Sequence, residues 1–471
     1  MTPPRVVVVG GGITGLSLAF TLQEDARRAG APLSLTVLDA APRIGGHAHT
    51  TASNGFLIET GPNGFLNREP HTRALIEALG LWPRVIEARP EAERRFILTA
   101  GRLCAVPGSP VALLTSSALS WRGKVRLLAE PLARGPSAGV DETVFEFATR
   151  RIGREAAEIL VDTAVSGISA GDSRRLSVGA QFPLMVEMER EHGSLIRAMI
   201  ARRRAGRGAP KLLSFDAGLS TLTDALGERL GPALWTSAPV RSLERAGAAW
   251  RVAVHDGRAL EADHVVLAAP ARAAATVVAR LDPALAALLG SIEYAGIAVV
   301  ALGYRLDDVR RPLDGYGYLV TRAEQMATLG VAWESSLFAG RAPEGMALFR
   351  AFLGGSRRPE VLDLTPPQLV ETARNELARV LDLRGAPRHT WVFGWPDAIA
   401  QYTVGHRERR ARILDRLEQH TGLSVCGTSY DGVSINDAIR SGRTLARSLA
   451  ESLWSGGGGR AVAPESLTVG A

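Results

Sequence analysis

The tightest constraint on this chain is the stretch Arg5-Val6-Val7-Val8-Val9-Gly10-Gly11-Gly12-Ile13-Thr14-Gly15-Leu16. Four valines in a row read as a strand covered on both faces, the pattern of a parallel sheet between layers. The apolar spacing Leu16, Leu18, Ala19, Phe20, Leu22 that follows reads as a helix. Gly10, Gly12 and Gly15 have the spacing of a dinucleotide-binding turn. The first allows the tight turn, the second lets backbone approach a pyrophosphate, and the third lets helix and strand pack closely. Gly11, Ile13 and Thr14 complete the loop and the first helical turn, whose free amides would hold the diphosphate. Asp39, at the end of a second apolar run 33–38, stands where a ribose hydroxyl would meet it.

A chain of 471 residues is too long for one core, and two or three domains are expected. Net charge is +7, yet lysine occurs only at Lys124 and Lys211, so arginine carries nearly all the positive charge. Genome composition is the plainer source of that bias; attraction to an anionic membrane or substrate is the other. No basic stripe interleaved with aromatics points to nucleic acid. Two cysteines, Cys104 and Cys426, give no disulfide framework and suggest a reducing compartment. No CxxC or HExxH spacing points to a metal. The start does not read as a signal peptide, and no apolar run is long enough to span a bilayer.

Beyond Asp39 comes Pro42-Arg43-Ile44-Gly45-Gly46-His47, a second phosphate-facing loop in which Arg43 offers a fork of donors and Gly45-Gly46 close approach. A solvated surface turn is the alternative. The second loop tilts the cofactor from a nicotinamide toward FAD. The run Phe56 to Glu59 reads as a strand, and Gly61-Pro62-Asn63-Gly64 after it would turn backbone amides toward a flavin edge. Near the end, Val425 to Ile439 reads as strand, turn and helix N-terminus. Val433, Ser434 and Ile435 would present amides to the flavin ring and ribityl chain.

This order of motifs resembles the amine-oxidase-like flavoprotein superfamily, and within it the oxygen-dependent protoporphyrinogen oxidases. The likeness runs from Val6 to about Leu453. Its most specific part is Asp141-Glu142-Thr143-Val144, Arg150-Arg151-Ile152-Gly153, Gly167-Ile168-Ser169-Ala170-Gly171-Asp172, Leu176-Ser177 and Phe182-Pro183. The resemblance implies an α/β chain with a Rossmann-like FAD-binding domain (1–90, 212–285 and 405–455). It also implies a mixed-sheet substrate domain (91–103 and 286–404) and a helical, membrane-associated subdomain (104–211). A flexible tail is expected over 456–471. Non-covalent FAD is the implied cofactor. The implied reaction is six-electron oxidation of protoporphyrinogen IX to protoporphyrin IX, a step of haem and chlorophyll biosynthesis, with O2 reduced to H2O2. The implied location is cytoplasmic and peripheral to a membrane; a homodimer is left open.

Several residues take roles from the resemblance. Val240 becomes a backbone contact near the adenine, and Trp395 lies beside the flavin. Arg95 matches an arginine that pairs with a substrate propionate, with Arg94 as its neighbour and rival. Tyr316, Gly317 and Leu319 match the segment that sandwiches the tetrapyrrole, although phenylalanine is commoner at Tyr316, and Phe352 closes the same cavity. Ordinary core packing is the alternative for Val240, Tyr316, Leu319 and Phe352, and a surface arginine is the alternative for Arg95. The flavin itself would do the chemistry, so no side chain is assigned as catalytic.

From the pattern alone, residues from Cys104 to Arg207 read as helical, with Leu113, Leu114, Leu119, Val125, Leu127 and Leu128 around Arg122, Lys124 and Arg126. An apolar helix with a basic flank suits a membrane surface, and packing on its own domain suits it equally. Residues 202–208 read as a solvated basic loop. Three rival functions are kept. A flavin amine oxidase would typically have a lysine in the substrate sheet, and there is none after Lys211. A coproporphyrinogen III oxidase would run the same chemistry on a substrate with four carboxylates. A non-catalytic FAD-binding scaffold is the third.

Overall fold

The computed structural model describes residues 2–107, 115–135, 139–204 and 210–454. The four valines lie in the strand Arg5–Val9, at the centre of a five-stranded sheet. Strand order is Leu234–Trp235, Ser34–Leu38, Arg5–Val9, His264–Leu267 and Leu423–Val425, all parallel. Val6 and Val8 pack into a core with the helices Ile13–Ala29 and Ile435–Trp454. Val7 and Val9 pack the other way, against an antiparallel sheet (Val240–Ala246, Ala249–Val254, Ala259–Ala262) and helices including Ala271–Val278 and His406–Leu417. A strand buried on both faces has no room for a polar alternation, which explains the run.

A second sheet has seven strands: His389–Gln401, Glu293–Arg305, Met346–Gly354, Thr328–Trp333, Gly317–Val320, Phe96–Thr99 and Arg102–Ala105. Neighbours run antiparallel except Gly317–Val320 with Phe96–Thr99, so the sheet is mixed. One face, with Ala298, Val300, Leu302 and Phe349, is sealed by Leu369, Ala373, Leu377 and Leu381 of the helix Pro366–Leu381. The other face carries a row read across the ladder: Ile97, Leu319, Gly330, Phe352, Val299, Phe393. Leu319, Phe352, Phe393 and Trp395 on this side are only half-buried, so this face is incompletely covered.

Helices between residues 121 and 204 lean on that second sheet through charge. Arg322 pairs with Asp172 at 2.5 Å and with Asp162 at 3.1 Å, and Arg357 pairs with Asp162 at 3.2 Å. Within the helices, the fully buried Arg151 binds Glu130, whose carboxylate also accepts from Ser194 Oγ at 2.5 Å and the Leu195 amide at 2.9 Å. Arg150 holds Glu142 and Glu189, each at 2.6 Å. Thr143 and Glu146 form a capping box, and Asp141 accepts from Ser177. Several residues of the signature 141–183 therefore serve as caps and ion pairs.

Two sequence readings need correction. Cys104 is not helical: it lies in the strand Arg102–Ala105, paired with Ile97, because residues 96–105 form a hairpin on the sheet edge. Arg202, Arg203 and Arg204 end the helix Leu195–Arg204 and do not form a loop; arginine propagates a helix well and suits its negative end. Strands Thr328–Trp333 and His389–Gln401 lie within the segment 286–404 expected to form the mixed sheet. Leu113, Leu114, residues 205–208 and the tail 456–471 lie outside the described residues.

One buried acid gives a pH test. Glu59 accepts from Thr50 Oγ1 at 2.8 Å and the Leu219 amide at 3.0 Å, with Arg341 at 3.5 Å. Burial pushes its carboxyl up from 4.5 to about 7, against the pull of the Arg341 guanidinium. The folded state then holds this proton more tightly than the unfolded chain. Its contribution to stability is full below pH 4.5 and is lost as pH rises to about 7. Buried His406, pushed down to about 4, slopes the opposite way over an overlapping range, so the test is a difference. Wild-type minus Glu59→Gln unfolding free energy, from urea titrations, is expected to fall across that window; a flat difference contradicts it.

Candidate functional site

The glycines of the first loop are required by the space around them. Gly10 has φ +114°, and a Cβ there would lie 2.8 Å from the Ala269 amide nitrogen. A Cβ on Gly15 would lie 1.9 Å from the Gly10 carbonyl oxygen, so helix Ile13–Ala29 can start this close to its strand only without a side chain. Gly12 is different: nothing lies within 4 Å of its added Cβ, and no side chain caps the helix it opens. Open space at a helix N-terminus with uncapped amides is the cradle a diphosphate needs. Ile13 and Thr14 are buried in that first turn.

The second loop completes the crease. The Gly45 amide donates to the Gly11 carbonyl at 2.8 Å, and Gly46 stands against Gly12. Arg43 Nη1 donates to the Gly46 carbonyl at 3.1 Å. Asp39 accepts from the Gly11 amide at 2.6 Å and the Ala41 amide at 2.7 Å, which fixes the carboxylate at one end. The Ala238 amide donates to the Asp39 carbonyl at 2.8 Å, placing the start of the strand Val240–Ala246 beside that end.

The other end of the crease reaches the half-covered sheet. Gly61 packs against the His47 carbonyl, and the Trp395 indole nitrogen donates to the Thr60 carbonyl at 2.6 Å. His47 meets Trp395 edge-on at 4.6 Å between ring centres; burial and then Arg43 hold its imidazole below the ordinary value. Gly64 packs against the Leu213 carbonyl, leaving Pro62 and Asn63 between. Across the crease, Gly442 lets helix Ile435–Trp454 approach the Thr14 carbonyl, where a Cβ would sit at 2.4 Å. Val433 and Ser434 precede that helix and Ile435 opens it; the Ser434 hydroxyl accepts from the Asp437 amide at 3.2 Å as an N-cap and donates to Asp437 Oδ2 at 2.6 Å.

The predicted substrate residues gather on one side of Trp395 and the 61–64 loop. The Asn63 side-chain amide donates to the Tyr316 hydroxyl at 2.7 Å. The Arg95 guanidinium lies 5.6 Å from the Tyr316 ring centre and is exposed, with no carboxylate partner among the described residues. Its rival Arg94 is engaged by Asp314. Burial holds the Tyr316 hydroxyl above its ordinary value, so it stays a donor at neutral pH. Gly317, at φ +135°, abuts the Val331 carbonyl, where no side chain fits. Leu319 touches Gly167 of the helix Asp162–Ser169, and Phe352 stands two strands away in the same row.

The sequence reading passed over Arg350 and Glu334, which are fully buried beneath this site and joined at 2.7 Å. A single arginine amid the apolar strand Met346–Gly354 was the available signal. Among the described residues, no group of three His, Cys, Asp or Glu could hold a metal ion.

A parallel nucleotide-type sheet joined by such a crease to a mixed-sheet wall defines a flavoprotein class. The chain belongs to the family described as flavin-containing amine oxidoreductases, whose model matches residues 13–450. It is an oxidoreductase with FAD as cofactor, and the open cradle at Gly12 with its two glycine loops fits that group. It is 34% identical over 485 residues to the protoporphyrinogen oxidase of Bos taurus, covering 94% of this chain and 97% of that one. It is 29% identical over 466 residues to the coproporphyrinogen III oxidase of Bacillus subtilis (strain 168), covering 96% and 99%. A crystal structure from Exiguobacterium sp. 255-15 superposes with a TM-score of 0.82 at 27% identity, covering 96% of this chain and 99% of that one.

The two glycines separate folding from binding. Gly12→Val should fold, since its side chain enters open space at φ −72°, and should purify without flavin. Gly15→Ala should lose on the order of 1–3 kcal/mol of stability from overpacking. A yellow Gly12→Val protein, or an unperturbed melting temperature for Gly15→Ala, contradicts this assignment.

Proposed function

We propose that this chain oxidises protoporphyrinogen IX to protoporphyrin IX with O2 as electron acceptor. The observation that carries the reading is the half-covered apolar wall at the end of a glycine-built crease. Bound FAD supplies the hydride acceptor and the oxygen-reactive ring. The chain's own residues do the rest. Gly10 to Gly15, Gly45, Gly46 and Arg43 hold the diphosphate, Asp39 the ribose, and Val240 the adenine end. Residues 61–64, Trp395 and 433–435 surround the isoalloxazine. Leu319, Tyr316, Gly317 and Phe352 offer a flat, water-excluding surface to a macrocycle, and Arg95 takes a propionate. Six electrons leave one ring system, so the wall must tolerate the substrate in successive tautomers. A featureless apolar row does this better than a set of directional hydrogen bonds.

The domain arrangement read from the sequence is retained in this proposal, with the substrate unit extended through the strand Arg102–Ala105. The Bacillus subtilis relative keeps a second reading open: coproporphyrinogen III as substrate, with product coproporphyrin III. An aerobic assay of both porphyrinogens, read by porphyrin fluorescence and peroxide release, decides between them. Activity on neither would overturn both. Arg95→Ala is expected to raise KM roughly tenfold at unchanged flavin content, the loss of one charge-assisted contact. An unchanged KM removes Arg95 from the site.

A peripheral membrane contact belongs to the same proposal. Helix Trp121–Leu128 turns Arg126 inward to the Arg150 and Arg151 carbonyls at 2.7 and 3.0 Å. It exposes Trp121, Val125 and Leu128, and Leu132 follows at 85% exposure. This inverted amphipathicity suits the interfacial zone of a bilayer. No helix among the described residues is long and apolar enough to cross one. The wild type should co-sediment with phosphatidylglycerol vesicles, and Trp121→Asp combined with Leu132→Asp should release it. Equal sedimentation of both proteins would refute the contact.

A further inference from the structure

The backbone from Glu59 to Gly64 joins the strands Phe56–Glu59 and Phe65–Leu66 and has no ladder of its own over residues 60–64. It is held from the far side by side chains of the seven-stranded sheet. Arg350 Nη1 donates to the carbonyls of both Glu59 and Gly61, each at 2.7 Å. Trp395 takes the carbonyl between them, that of Thr60. Three consecutive carbonyls are thus turned toward the substrate sheet.

The carbonyl and N–H of one peptide unit point in opposite directions. Fixing the Thr60 carbonyl on Trp395 therefore turns the Gly61 N–H away from the sheet. At its far end the same loop is tied by Asn63 to the Tyr316 hydroxyl. Arg350 is itself aimed by Glu334, which accepts from its Nε at 2.7 Å; both side chains are at most 1% exposed. A buried guanidinium with a buried counter-ion is costly to desolvate and adds little net stability. The ion pair by itself is a weak reason for keeping two buried charges, so the pair is better explained by the Glu59 and Gly61 carbonyls that its donors hold.

We infer that Arg350, aimed by Glu334, and Tyr316 are positioning residues for the flavin: they set the peptide orientations of residues 59–64, and through them the cofactor's affinity and potential. This rests on the reading of the crease as the flavin site. Tyr316 and Phe352 also face the substrate wall, and Phe352 is two residues from Arg350 on one strand. Substrate seated there would be felt by the loop without touching it.

The test uses the FAD-loaded protein and two readouts: the FAD dissociation constant and the midpoint potential of the bound flavin. Replacing both charges together, Arg350→Met with Glu334→Leu, avoids leaving either one buried alone. This variant is expected to fold, to bind FAD roughly tenfold more weakly, and to show a displaced potential. Glu334→Gln, which leaves the carbonyl contacts of Arg350 in place, should fall between it and wild type. Tyr316→Phe removes one oxygen atom and should displace the potential at unchanged flavin stoichiometry. Wild-type affinity and potential in the folded double variant overturn the inference. If the double variant does not fold, wild-type values in Tyr316→Phe overturn it. Gly12→Val in parallel separates the two levels. Should it keep FAD, the site reading itself falls; should it lose FAD while the Arg350 variants match wild type, only the inference falls.

Discussion

The crease depends on two of the places where backbone meets backbone in this molecule. At Gly15 the first helix starts against the carbonyl of the turn it leaves, and at Gly442 the last long helix lies on the Thr14 carbonyl. Residues more than four hundred positions apart in the chain thereby flank one furrow. Any side chain at either position would push a helix outward and open the furrow to solvent. The low-dielectric, amide-lined environment that favours a bound pyrophosphate depends on that closeness.

Guanidinium groups tie the seven-stranded sheet to the segments around the crease, beside apolar contacts such as Phe56 and Ile58 against Ala301 and Leu348. Arg350 reaches from the substrate sheet to the Glu59 and Gly61 carbonyls, and Arg341 reaches Ser214, Phe215 and Glu59. Arg322 and Arg357 similarly tie Asp162 to the substrate sheet. All but two of the 55 basic residues are arginine, and this interior use fits the chemistry of a planar donor fork that stays charged when buried. Composition alone could not separate such buried arginines from exposed ones.

Local signals made the nucleotide sheet legible. The valine run, the glycine spacing and the position of Asp39 each follow from short-range geometry, and the strand, turn and helix N-terminus near Val433 did too. The substrate side was less legible, because its strands pair across long separations. Thr328–Trp333 and His389–Gln401 are placed by registers that no window of sequence contains. Cys104 was read with the helical run after it for a different reason: its strand Arg102–Ala105 is four residues long, lies at the sheet edge and leads directly into an apolar run. Tyr316 was read for its ring, and its hydroxyl contact with Asn63 lies 253 positions away. Arg350 and Glu334 went unremarked because single charges in apolar strands acquire meaning only when both partners are seen.

In the row that crosses the substrate wall, Gly330 lies between Leu319 and Phe352, and Leu319 folds over it with a methyl 2.7 Å from where a Cβ would stand. The depth of the wall at that point is set by a leucine rotamer together with the Tyr318 carbonyl, 2.8 Å from the same Cβ position. Rotamers exchange far faster than sheets rearrange. In the function proposed above, the floor under a macrocycle would then shift by the width of a methyl group as that leucine turns, with the ladder beneath unchanged. Any residue larger than glycine at 330 would meet both the leucine methyl and that carbonyl, so the contour of the row here depends on a missing side chain.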